Sequence, residues 1–305
     1  MKKQLLPVLL ALTHSFAMAA GEPAPPPPFT LPNTEVQQIH AVKLNRDYEL
    51  YVSLPNSYGS ARKNYPVVFI TDAPYAFPVA ASISSFVARH SKALPEFILV
   101  GLSYAKGDTG EFSRRRDYTP TPYYGGGMTS DMPGKAPVFG EAEGYRRFLA
   151  DEVFPFVAAH YRADMAHKVL AGHSYGSLFG SYVLLTEPDM FEGYILGSPS
   201  LWYGNRFLFD RERSFAATHK KLPARVYIGT GSYESLAPKN HPGDVRYNTE
   251  NDMVADAADF AQALSSHHYA GLQLRNEVIA QENHLTVAPI LLTHGLLWTL
   301  GDEKQ

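Results

Sequence analysis

The chain has 305 residues, 45% of them hydrophobic and 19% charged, so it can bury the core of one large α/β domain or two small ones. Its formal net charge is −3 and it has no basic block beyond Arg114–Arg116, which argues against nucleic acid as a partner. It contains no cysteine, which excludes disulfides, a cysteine nucleophile and thiolate-bound metals.

The N-terminus has the three parts of a secretory signal peptide. Met1–Lys3 is basic, Leu5–Leu12 is apolar apart from Pro7, and Ala17–Ala19 is an A-x-A cleavage signal. The apolar run is shorter than the ~20 residues that a membrane-spanning helix needs. The sequence therefore predicts a signal peptide over residues 1–19 and a periplasmic or secreted bacterial protein, with no stable membrane insertion after cleavage.

A proline-rich stretch over residues 20–34 predicts an extended tether, because such a run forms neither a helix nor the interior of a sheet. Val36–Leu44 and Tyr48–Leu54 follow, with β-branched and aromatic residues in near alternation, and predict an antiparallel hairpin. We expect a single domain over residues 35–305, with an active-site loop at 103–141 that carries no clear helix or strand pattern.

Apolar strands alternate with helices from Tyr65 onward. The predicted strands are 65–70, 97–102, 169–171, 194–197, 225–229 and 272–279. The predicted helices are 78–92, 143–162 with a kink or second start at Pro155, 177–185, 206–220, 249–267 and 287–300. This order predicts an α/β fold with a mostly parallel sheet, helices on both faces, and functional side chains at the carboxyl ends of the strands.

The strand Val169–Ala171 runs into the helix at 177–185 through Gly172–Gly176, a G-x-S-x-G pentapeptide. A direct strand-to-helix turn strains the backbone of Ser174 and lifts its hydroxyl clear of the sheet. Glycine is needed at both ends, because a Cβ there would strike the neighbouring strand or helix. The pentapeptide alone is weak evidence, but its strand, its helix and a histidine late in the chain predict that Ser174 is a nucleophile.

A serine hydroxyl needs a base within hydrogen-bond reach, and the base needs a third group that sets its tautomer. His284 follows the last strand and precedes the last helix, so we predict it to be the base, with His241 as the alternative. His173 adjoins the serine and is expected to point away from it.

Glu234, five residues after the strand that ends at Gly229, is predicted to be the acid. The chain order Ser, acid, His is then the one expected of this fold. Three other carboxylates compete for this role: Asp244, Asp252 and Asp256. A Ser–His dyad with weak acid support also stays open.

An oxyanion hole needs two backbone N–H donors. We expect one from Tyr175 and the other from Ala73 or Tyr75, because Pro74 has no N–H. Substrate-binding roles are expected for Trp202, Tyr203 and Arg116. The aromatic pair either lines an acyl pocket or packs under the loop, and Arg116 either holds an anionic substrate or bonds structurally to Asp117.

Four stretches together resemble the esterase D-like α/β hydrolases, nearest to the branch of periplasmic siderophore esterases related to enterobactin hydrolases: Gly172–Gly176, Ser198–Tyr203, Arg116–Pro120 and Glu282–His284. The resemblance covers residues 36–300. It implies the α/β-hydrolase fold and ester hydrolysis through a serine, with no cofactor or metal. It supports Ser174 and His284 strongly and Glu234 less, since some members work with a dyad. The family often has a glycine where this chain has Ala73.

Taken together, these features predict a serine esterase that forms an acyl-enzyme on a siderophore or another small ester. An acyl transferase or an acylated-sugar esterase could use the same triad, and products formed with an added alcohol acceptor would distinguish them. A binding protein that retains the fold without catalysis is the third hypothesis, and an aryl ester assay would test it. The sequence indicates no obligate protein partner.

Overall fold

The computed structural model describes residues 26–90, 93–123, 125, 127–238 and 243–301. The predicted signal peptide at 1–19, the first part of the tether and the alternative base His241 lie outside the described residues. From Leu31 onward the chain forms one compact unit. None of the helices in the described ranges is both long and apolar enough to cross a membrane.

Within the described ranges, eight strands form one sheet. Numbered along the chain as given below, they have the order β1-β2-β4-β3-β5-β6-β7-β8 in the sheet. The N-terminal hairpin pairs antiparallel within itself and with β4, and every other neighbouring pair is parallel. The strands are β1 Thr34–Ala41, β2 Arg46–Ser53, β3 Tyr65–Ile70, β4 Ile98–Leu102, β5 Ala163–His173, β6 Gly193–Gly197, β7 Arg225–Gly231 and β8 Gln273–Ile279. The predicted mostly parallel sheet with an N-terminal hairpin is confirmed.

The sheet is covered on both faces, which is why its central strands are continuous apolar runs. Alternate residues of β3 enter two separate cores: Val67 and Phe69 pack on one face, and Val68 and Ile70 on the other. Two helices cover the second face: Ala73–His90, called α1, and Ala288–Leu300, called α8. The helices are α1 Ala73–His90, α2 Gly110–Tyr118, α3 Ala142–Phe148, α4 Phe154–His160, α5 Tyr175–Leu184, α6 Tyr203–Thr218, α7 Met253–Ser266 and α8 Ala288–Leu300.

Proline marks the start of two helical segments. Helix α1 begins at Ala73 instead of residue 78, and Pro74 lies in its first turn, where a missing N–H costs nothing. In the segment 143–162 the second start predicted at Pro155 is present. A π-helical turn over Leu149–Val153 separates α3 from α4, and Pro155 lies in the first turn of α4.

The expectation that residues 103–141 lack secondary structure is wrong for α2. Thr109 caps this helix, and its side chain accepts a hydrogen bond from the amide of Phe112 at 3.2 Å. The arginine run hides the helix from hydrophobic periodicity, because the polar residues Ser113, Arg116 and Asp117 are buried beside the aromatic residues Phe112 and Tyr118.

Arg116 lies in that buried face, and its side chain is 5% exposed. It donates to Asp117 from Nε at 2.8 Å and from Nη2 at 3.0 Å, and it pairs with Asp108 at 2.5 Å. Asp117 also accepts from the hydroxyl of Tyr48 at 3.0 Å and lies 3.4 Å from Arg46. The structural alternative for Arg116 is therefore the one that its contacts support, and its expected role in binding substrate is corrected.

We expect Asp117→Ala to lower the free energy of unfolding by about 3–5 kcal/mol, because it leaves the guanidinium of Arg116 buried without its main partner. Urea unfolding followed by circular dichroism measures the change. Asp210→Ala is the matched control: it breaks an exposed ion pair with Arg213 and should cost less than about 1 kcal/mol. Equal losses in the two variants would contradict this account of the buried cluster.

Candidate active site

Ser174 lies at the tip of the turn between β5 and α5, with φ 58° and ψ −118°. This conformation is strained for a residue with a side chain, and only close packing around the turn maintains it. A Cβ on Gly172 would lie 2.5 Å from the carbonyl carbon of Gly176, and a Cβ on Gly176 would overlap the hydroxyl of Thr71. Both glycines are thus required by close approach, to the start of α5 and to the end of β3.

The hydroxyl of Ser174 is half-buried and lies 3.3 Å from the hydroxyl of Ser200. Its backbone amide donates to the carbonyl of Gly197 at 2.9 Å, which ties the turn to the end of β6. The amides of Tyr175 and Gly176 are the first of α5, so neither has an acceptor within the helix. They stand beside the Ser174 hydroxyl as donors for a bound group.

The imidazole of His284 donates from Nδ1 to Oε2 of Glu234 at 2.7 Å. Glu234 is fully buried, and its other oxygen accepts from the hydroxyl of Ser198 at 2.6 Å and from the amide of Gly231 at 2.7 Å. Since Nδ1 carries the proton toward the carboxylate, Nε2 keeps its lone pair. The His284 side chain is 31% exposed, so this nitrogen can meet a ligand.

The three carboxylates that competed with Glu234 have other partners. Asp252 caps α7 by accepting from the amide of Ala255 at 2.9 Å. Asp256 lies 3.3 Å from Arg206, and Asp244 lies 2.6 Å from Arg246. The carboxylate that contacts the imidazole is Glu234.

The turn after β3 distinguishes the two expected oxyanion donors. Asp72 has φ 57°, and its carbonyl accepts a hydrogen bond from the amide of Tyr75 at 3.2 Å. The Tyr75 amide therefore already has an acceptor. The amide of Ala73 is the first of α1 and has no acceptor within the helix. The Tyr75 side chain instead lies at the surface, 49% exposed.

A buried ion pair lies next to this turn. The carboxylate of Asp72 accepts from the hydroxyl of Tyr104 at 2.8 Å and from Nε of Arg114 at 3.1 Å. Burial first, and the charge of Asp72 second, raise the pKa of Tyr104, so it stays a neutral donor. Nη2 of Arg114 also lies 3.4 Å from the carbonyl of His173, which holds the guanidinium against the turn at Gly172–Gly176, here called the elbow.

His173 is held neutral. Burial first, and the neighbouring His284 and Arg114 second, lower the pKa of His173 to about 3. Its ring centroid is 4.5 Å from that of His284, and among the described residues its buried Nε2 has no hydrogen-bond partner. The ring therefore packs beside the imidazole of His284 without competing for its proton.

Ser174 and His284 both line two cavities, one on each side. The first, which we call the α1–α8 crevice, has a volume of about 410 Å³ and lies between α1 and α8 over the ends of β3, β5 and β6. The second, which we call the outer groove, has a volume of about 360 Å³ and is more open. Residues lining the outer groove include Glu111, Arg114, Trp202, Asn248 and Glu250.

Of the three side chains expected to bind substrate, only Trp202 lines a cavity beside Ser174. Tyr203 is fully buried, and its hydroxyl donates to the carbonyl of Thr121 at 2.8 Å, so its role as pocket lining is corrected to packing under the loop. Arg114, and not Arg116, faces the site. Residues two positions apart in a helix are rotated by about 200° around its axis, so Arg114 and Arg116 lie on opposite faces of α2.

Sequence reasoning missed Asp72, Ser198 and Ser200 as parts of this site. Both serines follow β6 at the carboxyl edge of the sheet. They lie in Ser198–Tyr203, a stretch that carries the family resemblance but whose hydroxyls have no predicted role. Their contacts join segments far apart along the chain: Ser198 to Glu234, and Ser200 to Ser174. The position after a strand end was the available signal.

Known proteins similar to this chain include several esterases. The chain is 27% identical over 286 residues to the ferri-bacillibactin esterase BesA of Bacillus subtilis (strain 168), covering 90% of this chain and 92% of the relative. It is 26% identical over 293 residues to the siderophore triacetylfusarinine C esterase of Aspergillus fumigatus, covering 91% and 96%.

Solved structures show the same fold. The crystal structure of BES protein from Bacillus cereus matches with a TM-score of 0.75 at 22% identity, covering 91% of this chain and all of that one (100%). Siderophore hydrolase EstA from Aspergillus nidulans matches with a TM-score of 0.72 at 24% identity, covering 87% and 93%. Residues 41–278 match the Esterase family model, which is more than half of the sequence. The chain therefore belongs to the Esterase family and has the fold of the α/β hydrolases.

Proposed function

We propose that this protein hydrolyses carboxylic esters through a covalent acyl-enzyme on Ser174. The observation that carries the proposal is the imidazole of His284, bonded at 2.7 Å to a fully buried carboxylate and lining the same two cavities as Ser174. A strained serine, an oriented imidazole and a buried acid are the parts that activate a hydroxyl at neutral pH.

In the first half-reaction, Oγ of Ser174 attacks the ester carbonyl carbon while Nε2 of His284 takes the hydroxyl proton. The tetrahedral oxyanion accepts hydrogen bonds from the amides of Tyr175 and Ala73, the two helix-start donors on either side of Ser174. When the intermediate collapses, His284 returns the proton to the departing alkoxide, and the alcohol leaves. Water then attacks the acyl-enzyme by the same path and releases the acid.

The free protein holds the Ser174 hydroxyl against Ser200 at 3.3 Å, and it has no hydrogen bond to His284 among the described residues. Catalytic hydrogen bonds in unliganded enzymes often tighten only when substrate binds. We propose that the hydroxyl turns from Ser200 to the imidazole in the complex.

We propose a triad instead of a dyad. Glu234 is held by Ser198 and Gly231, so its carboxylate cannot rotate away from Nδ1 of His284. It sets the tautomer that leaves Nε2 able to accept a proton, and it stabilises the imidazolium that forms. In a dyad, this buried charge would have no function to offset the cost of its desolvation.

Siderophore esters are the candidate substrate class that the similar proteins favour, because one relative described above is named as a siderophore triacetylfusarinine C esterase and the other as a ferri-bacillibactin esterase. With the predicted signal peptide, the proposal places this hydrolysis in the periplasm or outside the cell. Arg114 borders both cavities, where its charge is already paired with that of Asp72 at 3.1 Å.

A fluorophosphonate probe should label Ser174, as identified by mass spectrometry of the modified peptide. Ser174→Ala should lose labelling and roughly 10³-fold or more of kcat on an aryl ester such as p-nitrophenyl butyrate. Ser200→Ala is the matched control, because its hydroxyl lies beside that of Ser174, and it should still be labelled at Ser174. A folded protein that carries the label on Ser200, or carries none, would overturn the assignment.

Glu234→Gln should lower kcat by roughly 10²–10⁴-fold, because an amide facing Nδ1 can impose the wrong imidazole tautomer. Steady-state kinetics on the same ester measures the loss. Asp252→Asn is the control: it changes a competing carboxylate in the same part of the chain, and asparagine still caps α7. If the first variant keeps full kcat, the enzyme works as a dyad.

A further inference from the structure

We infer that the α1–α8 crevice is the acyl site of the enzyme and holds an uncharged, apolar acyl group while the alcohol part of the ester occupies the outer groove. This inference rests on the proposed function and adds the chemistry of the substrate to it. It assigns a ligand to a cavity that catalysis at Ser174 does not itself explain.

The walls of the crevice are apolar. Helix α1 contributes Ala76 and Val79, α8 contributes Pro289 and Leu292, and the sheet contributes Ile195. These apolar walls come from three parts of the fold, α1, α8 and the sheet, which meet over the ends of the strands. An alkyl or aryl group placed against these walls loses contact with water.

The charged groups that border the crevice are already balanced. Asp72 and Arg114 neutralise each other at 3.1 Å, and the carboxylate of Glu234 accepts hydrogen bonds from His284, Ser198 and Gly231. His173 is neutral, because burial lowers its pKa to about 3. A charged acyl group would enter a low-dielectric space with no free counter-charge, which is costly, whereas an uncharged group meets no such cost.

The mouth of the crevice is apolar as well. Leu285, next to His284, is 79% exposed, and Tyr75 on α1 is 49% exposed. A single exposed apolar side chain is unremarkable, but Leu285 and the ring of Tyr75 both line this crevice beside the nucleophile. They extend the apolar path from the crevice to solvent.

The order of events assigns the two cavities to the two halves of the ester. The alcohol must leave before water attacks the acyl-enzyme, so the more open outer groove suits it. The acyl group stays bound to Ser174 through that exchange, and the more enclosed crevice can hold it. Polar groups of the outer groove, among them Glu111, Asn248 and Glu250, are fitted to a hydroxyl-bearing alcohol.

The volume limits the size of the acyl group. Small-molecule pockets span roughly 300–1,000 Å³, and the crevice, at about 410 Å³, lies near the lower end. It can take a short alkyl chain or one aromatic ring. A large cyclic ester could place only the arm next to the scissile bond inside it.

The test is a series of p-nitrophenyl esters with one leaving group and acyl chains from acetate to hexanoate. Each added methylene should raise kcat/KM by roughly two- to fourfold until the crevice is filled. Val79→Phe should lower the hexanoate-to-acetate ratio of kcat/KM at least tenfold by filling the crevice. Ser82→Phe is the matched control: it adds the same ring to an exposed position of α1 and should leave the ratio unchanged.

Leu285→Ser supplies a second variant, at an exposed position where loss of folding is not expected, and should lower the same ratio about twofold. A flat acyl series in the wild-type enzyme overturns the inference. So does an unchanged ratio in a folded Val79→Phe protein. A rise in kcat/KM with the alcohol chain of alkyl acetates, but not with the acyl chain, would reverse the two cavities and also overturn it.

Binding to Ser174→Ala protein separates this inference from the proposed function. Calorimetric titration with the same esters requires no turnover, and hexanoate should bind at least tenfold more tightly than acetate. If no ester is hydrolysed but this preference is found, the proposed function fails and the crevice assignment stands. If esters are hydrolysed without any preference for chain length, the crevice assignment fails and the proposed function stands.

Discussion

The hydrogen bond between Glu234 and His284 is the contact on which the site depends. It joins the end of β7 to the loop after β8, two segments that are fifty residues apart in the chain. The carboxylate is fully buried, so its charge needs the three donors that surround it: the imidazole, the Ser198 hydroxyl and the Gly231 amide. Because those donors come from three strand ends, the parallel sheet and the acid hold one another in place.

The other half of the site is built around the elbow. Ser174 keeps its strained conformation because Gly172 and Gly176 allow the end of β3 and the start of α5 to approach it closely. Asp72, in the neighbouring turn, has positive φ as well and anchors Arg114 against the elbow. One buried ion pair thus links two adjacent turns with positive φ, and the amides of Ala73 and Tyr175 start the helices that follow those turns.

The two cavities beside Ser174 indicate what kind of ester fits the site. A nucleophile between an apolar crevice and a polar groove suits an ester whose two halves differ in polarity. Two similar proteins are named as esterases of ferri-bacillibactin and of siderophore triacetylfusarinine C, whereas the acyl site inferred for the crevice concerns the group next to the carbonyl. The two statements concern different parts of one ester and are compatible.

The sequence by itself determined the parallel sheet and the turn at Gly172–Gly176, because apolar strand periodicity and glycine spacing are local properties of the chain. It also predicted the order Ser174, Glu234, His284 that the proposed function uses. Only the tertiary structure decided which arginine faces the site, since Arg114 and Arg116 have the same chemistry and differ only in their direction from α2. The same holds for Tyr203, which is buried, and for Trp202 beside it, which reaches the outer groove. Side-chain direction and long-range contact depend on how helices pack against the sheet, and no short stretch of sequence encodes that packing.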